Sequence, residues 1–215
     1  MERWNDGTKT PWATTVLVVV FLSIVPSFQL SVAAQDTIPP GYGTLHRDDI
    51  VVSLSTGTVA VQVLPLDEQV IRLLAPDTYR SLRQLIQSRS DDIAAAARLA
   101  NTERPVLVMV TFLGIVPAAR FNADELFITS HGRLFRPIGI VPLSPTWSSN
   151  QLDARQQAVA IYLFEPGISV GEQMTISYQG LASDVWTRSL RLLNEERARA
   201  KARAQSDAGT AARGP

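Results

Sequence analysis

Two histidines, His46 and His131, are all the imidazole this chain holds, and much side-chain proton chemistry near neutral pH would have to pass through one of them. His131 follows Ser130 in "SHG", but neighbours on an extended chain point to opposite sides and cannot serve each other as nucleophile and base. The one G-x-S-x-G run, Gly167–Gly171, lies between two strand-like stretches rather than at the strand-to-helix turn that exposes such a serine. His131 reads instead as a turn residue tolerant of positive φ. His46 opens "HRDD", where an imidazole and the carboxylates of Asp48 and Asp49 could meet calcium or zinc. The stretch has neither H-E-x-x-H nor helical i, i+4 histidine spacing, and it reads as a solvated polar lead into the first strand. Asp91-Asp92 and "DARQQ" read as helix caps and surface charge. A glycosidase pair of carboxylates is defined by its separation in space, which a sequence does not display. No catalytic residue, metal ligand set or cofactor motif is assigned.

Chemistry of recognition has more to stand on. Arg120, Phe127, Arg133, Arg136 and Trp147 lie within one stretch together with Phe121 and Phe135. Arginine with aromatics is the composition of interface hot spots. The competing reading makes Phe121, Phe135 and Trp147 core and leaves the arginines edging a sheet. Near the C-terminus Arg188, Arg191, Arg197, Arg199, Lys201 and Arg203 form a basic run diluted by Asp184, Glu195 and Glu196, which reads as a solvated helical face rather than a nucleic-acid or lipid surface.

These residues need elements to hold them. "DIVVSLSTGTVAVQVL" alternates about Thr56-Gly57, and pairing Ser55 with Thr58 sets Leu54 opposite Val59, Val52 opposite Val61 and Ile50 opposite Val63, all on one face. The period then lengthens to helical spacing. Asp67 caps a short helix, Pro76 opens a second with the stripe Tyr79, Leu82, Leu85 and Ile86, and Ser90 or Asp91 caps a third, so 67–100 is a helical insertion. "PVLVMVTFLGIV" and "QAVAIYLF" are apolar on both faces and demand cover on both. "DELFITS" and "RLFRPIGIV" flank a two-residue loop at His131-Gly132, with Phe127 opposite Arg136. "QMTISYQ" turns Met174, Ile176 and Tyr178 inward. Ser183 caps a final helix with Val185, Trp186, Leu190 and Leu193 on its apolar side, extending to 204, and 205–215 reads as a disordered tail. "GIVP" occurs twice, at Gly114–Pro117 and Gly139–Pro142, as two strand ends closed by a proline rather than a doubled site.

About seven mostly antiparallel strands with inserted and appended helices predict a mainly β, α+β domain over 48–182. An antiparallel two-layer β-sandwich, immunoglobulin-like, is the architecture expected. Ahead of it, "VLVVVFLSIV" lies between Arg3 and Lys9 on one side and Pro26 on the other. Val32 and Ala34 stand at the minus-three and minus-one places of a cleavage site. This is the layout of a secretory signal peptide, 1–34, cut before Gln35, with an extended lead at 35–47. A retained N-terminal anchor is the alternative, although a membrane span takes about 20 apolar residues, roughly twice this run. The chain has no cysteine, so neither disulfides nor a thioether-linked lipid are available to it. Its 20 basic and 20 acidic side chains balance, and the removed Glu2, Arg3, Asp6 and Lys9 sum to zero. A neutral protein has no global pull on nucleic acid or an anionic membrane. The expectation is an exported, periplasmic or extracellular envelope protein. It is expected to bind or scaffold another protein or a surface polymer without catalysis, touching the membrane only transiently through its signal. An envelope hydrolase with carboxylates on loops is the alternative.

Overall fold

In a computed structural model of the chain, residues 38–212 are described; the signal-peptide and anchor readings at 1–34 fall outside them. Eleven strands and four α-helices follow in order among these residues. Strands β1 (Val52–Ser55) and β2 (Val59–Pro65) lead to helices α1 (Glu68–Ile71), α2 (Pro76–Ser88) and α3 (Ser90–Leu99). Then come β3 (Val106–Gly114), β4 (Ala119–Arg120), β5 (Leu126–Ser130), β6 (Arg133–Phe135), β7 (Pro137–Pro142) and β8 (Gln151–Leu152). The chain ends in β9 (Gln157–Phe164), β10 (Met174–Tyr178), β11 (Leu181–Ser183) and α4 (Trp186–Ala212). The protein is mainly β, every strand pair is antiparallel, and a long C-terminal helix closes it.

Two sheets dominate. The larger runs β1-β2-β3-β9-β7 and the smaller β11-β10-β5-β6, with β4 and β8 as a separate pair. The chain passes from the smaller sheet to the larger at Arg136, where β6 gives way to β7, so "RLFRPIGIV" serves both. Inward side chains of the two sheets share one core: Phe112 on β3 and Tyr178 on β10 lie 5.5 Å apart, centroid to centroid. The strands that are apolar on both faces, β3 and β9, are both inner strands of the large sheet, as their composition requires. Helix α3 packs over β7 and β9. It comes so close that a Cβ on Gly139 would stand 3.3 Å from Cβ of Ala96.

Helical boundaries follow local chemistry. Asp67 accepts from the Gln69 N–H at 2.7 Å and starts α1. Pro76 occupies the first turn of α2, where its missing N–H is no loss. The three helices fill the predicted insertion. The cap of α3 differs from expectation: Arg89 holds that place with no side-chain bond, and Ser90 is already helical.

Three further expectations are corrected. The first hairpin pairs Ser55 with Ala60, Leu54 with Val61 and Val52 with Val63, two residues away from the expected register. A two-residue primed turn would need positive φ at Thr56 as well as Gly57. A β-branched residue resists that, and only Gly57 adopts it, at +89°. The loop widens instead, and the Thr56 N–H donates to the Val59 carbonyl at 3.0 Å. Because the slip is two residues, the inward face is unchanged. Secondly, β3 ends at Gly114, so the first "GIVP" is an exposed bend while the second closes β7.

The third correction concerns the C-terminal helix. Ser183 belongs to an unforeseen strand, β11, rather than to a cap, and α4 continues through the expected tail to Ala212. Val185 is exposed, and the buried stripe is Trp186, Ser189, Leu193, Glu196 and Ala200. Glu196, only 1% exposed, accepts from the backbone N–H and the hydroxyl of Thr44, each at 2.9 Å, and from Arg203. Arg203 also donates to the Tyr42 carbonyl. Asp207, hydrogen-bonded to the Tyr42 hydroxyl, pushes that phenol's pKa up. The lead is thereby pinned between α4 and the α1–α2 connection at Leu73. A Cβ on Gly43 would meet the Leu73 carbonyl carbon at 2.2 Å, and the Leu45 N–H donates to the Leu73 carbonyl at 3.1 Å.

Candidate functional site

The turn at His131-Gly132 is the two-residue loop expected, with φ of +52° and +73°. Its register sets Ile128 against Phe135 and Ser130 against Arg133. Both residues tolerate the left-handed region, so nothing forces the loop to widen. On the outward face of this hairpin the Arg136 guanidinium lies over the Phe127 ring at 5.1 Å. Near the turn Arg133 sits over Phe135 at 4.8 Å and bonds Glu165. Leu134, 50% exposed, shares the outward face with that first pair. The outward strip is Arg136, Phe127 and Leu134 along β5 and β6, whereas Arg133 shares its face with the buried Phe135.

The other two candidate residues lie on different elements. Arg120, exposed, pairs with Gln151 across the small β4-β8 ribbon. Trp147 sits in the 3-10 segment Pro145–Ser149, half-buried in an aromatic cluster. Its ring lies 5.3 Å from Phe121, 5.8 Å from Phe112 and 6.0 Å from Tyr162, while Phe121 stacks on Phe112 at 4.6 Å. Burial raises the pKa of Tyr162, with lesser help from Tyr178 and Asp124. It also raises that of Tyr178, against the lowering effect of the Asn122 N–H bonded to its hydroxyl. Both phenols stay protonated. Tyr162 donates to the Ala123 carbonyl at 2.9 Å and Tyr178 accepts from the Asn122 N–H at 3.0 Å, fixing the loop that leads into β5.

Beyond the turn, the strip runs into an open groove of about 850 Å3. Its floor is Thr129 of β5 and Thr175 of β10, which are paired neighbours. Its far wall is Asp184, Thr187 and Leu190 at the start of α4, and its end is His131 with Glu172. His131 Nε2 and the Glu172 carboxylate are 3.2 Å apart, and the two side chains are 53% and 59% exposed. Ser130 faces the other way: it is buried, and its hydroxyl accepts from the Ser169 N–H at 3.4 Å. At the other histidine, Asp49 spends an oxygen on the His46 N–H at 2.7 Å, closing a turn. No grouping of three or more His, Cys, Asp or Glu suited to a metal occurs among the described residues.

Sequence reasoning named His131, Asp184 and Leu190 but did not bring them together as a groove. Thr129 and Thr175 carry the signal of outward alternation only, and Glu172, Asp184 and Thr187 reach them from loops and a helix start whose placement depends on the tertiary fold. No family model matches this chain, and no curated protein or solved structure shows significant similarity to it.

Proposed function

We propose that this is an exported, non-enzymatic protein of the cell envelope that binds or scaffolds a protein or surface polymer through the outward face of the β5-β6 hairpin. The supporting observation is the solvent-facing Arg136–Phe127 pair with Leu134 beside it, an assembly of the residue types that anchor interfaces. The finer architectural reading, a two-layer sandwich, is supported by the Phe112–Tyr178 contact and by the strand shared across the sheets at Arg136. Its immunoglobulin-like form gains no support from strand order, since β1, β2 and β3 lie side by side in one sheet. Against the hydrolase alternative stands the setting of Glu172, open to water beside His131, where an active carboxylate works best in a site that excludes it.

Export rests on the layout of 1–34. Sequencing the protein recovered from the envelope is expected to find Gln35, or a residue beside it, at the N-terminus. Met1 in membrane pellets would establish the anchor instead.

Phe127→Ala with Arg136→Ala tests the face. An exposed cation–π pair is worth about 0.5–1 kcal/mol, too little to unfold a domain of this size. A desolvated arginine anchor at an interface is worth about 2 kcal/mol or more. The double variant is therefore expected to melt with the wild type yet lose its partner in pull-downs from envelope fractions. A folded variant that keeps every partner would return this face to ordinary surface.

A further inference from the structure

We infer that the groove between the β5-β6 turn and the start of α4 is a subsite for a neutral glycan chain. The inference rests on the binding reading above and names the ligand class. Its first ground is unspent hydrogen-bonding capacity. Thr129 and Thr175 are half-buried, yet neither hydroxyl bonds another described residue, nor do the Thr187 hydroxyl and the Asp184 carboxylate. A half-buried hydroxyl has lost part of its water and recovers that loss when a ligand supplies a partner.

The second ground is which ligand can use these groups. β5 is paired on both sides at Thr129, and β11 covers β10 only from Ile176 to Tyr178, so the floor leaves an unpaired edge only at Met174 and Thr175. A peptide adding as a strand needs a longer edge than these two residues. What remains is hydroxyl and carboxylate, the complement of a polyol: each sugar hydroxyl both donates and accepts, and adjacent hydroxyls can donate together to one carboxylate. The carboxylates of Glu172 and Asp184 repel an anionic polymer. Glu172 already has His131 at 3.2 Å, which leaves Asp184 alone to attract a cationic one, and the oligolysine control reads that out. Leu190, half-buried in the wall, offers apolar surface to the C–H face of a ring. A volume of about 850 Å3 sits at the upper end of ligand clefts, and its open form suits a chain passing through.

Calorimetric titration of the full chain with hexamers of neutral β-glucan, α-glucan and N-acetylhexosamine tests this, with an oligogalacturonate and an oligolysine of equal length as charged controls. At least one neutral oligomer is expected to bind saturably and the charged ones not. Thr129→Val with Thr175→Val, and separately Asp184→Asn, should weaken that binding tenfold or more at unchanged melting temperature. Absence of binding by every neutral oligomer, preference for a charged control, or variants that bind like wild type would each overturn the inference. Should one variant misfold, the other decides. Capture of the envelope partner by the same preparation reports the hairpin face separately. Glycan binding lost with the partner kept, or the reverse, then shows which of the two readings has failed.

Discussion

Val61→Asp is expected to destabilise the protein by about 3 kcal/mol or more, while Gln62→Asp, one residue along, costs roughly 1 kcal/mol or less. Val61 is wholly buried, set between Leu54 on β1 and Phe112 on β3. A carboxylate there would be desolvated with no cation in reach, a cost that falls on the native state alone. Gln62 projects to the opposite face between Ser53 and Thr111 and is only half-buried, so a charge can reach water. The contrast tests the face, not the register, because the two-residue slip of the hairpin leaves Val61 pointing inward. Denaturant titration of both variants against wild type measures it. Equal midpoints would mean that β2 does not present this face to the core.

The two hairpins show how much of the fold is legible and where legibility stops. At His131-Gly132 both loop residues accept positive φ, so local chemistry and strand register agree, and the pairing of Phe127 with Arg136 follows from the sequence alone. At Thr56-Gly57 the same dipeptide logic fails, because one β-branched residue is enough to favour a longer loop. Alternation survives such a slip, and for that reason burial is easier to read than pairing. The helical insertion was legible from its first cap, its proline and its period. The split of "RLFRPIGIV" between two sheets was not, since nothing local marks the residue at which a strand changes partners. The candidate face was legible in part: Phe127 and Arg136 come together on the outward face of one hairpin, whereas Arg133 turns to its other face, Trp147 goes to the aromatic cluster and Arg120 to the β4-β8 ribbon. The groove stayed hidden because its walls meet only through tertiary packing. In α4 the apolar pattern misled, since the buried stripe passes through Ser189, Glu196 and Ala200, of which none is a large apolar residue. Glu196 can be buried only because Thr44 and Arg203 arrive to satisfy it, and those partners lie far off in sequence or beyond the last large apolar side chain.

That helix carries the second large effect. Trp186→Ala is expected to cost about 3–5 kcal/mol, the range for deleting a large buried aromatic. Trp186 is among the largest fully buried side chains, and its indole N–H donates to the Val170 carbonyl at 3.2 Å in a buried bond. Truncation leaves both a cavity and an unpartnered carbonyl in the loop before β10. Trp186→Phe keeps most of the ring volume but loses the bond and leaves a smaller cavity, so it should cost about 1–3 kcal/mol. Leu192→Ala, on the exposed side of the same helix, should be nearly silent. For a domain of 150–250 residues each kcal/mol lowers the melting temperature by about 2–4 °C, so Trp186→Ala should melt roughly 6–20 °C below wild type. If instead all three variants melt together with wild type, α4 is not part of the cooperative unit. The wall it lends to the groove would then be a surface that comes and goes, and a glycan site built on Asp184 and Thr187 would lose its footing.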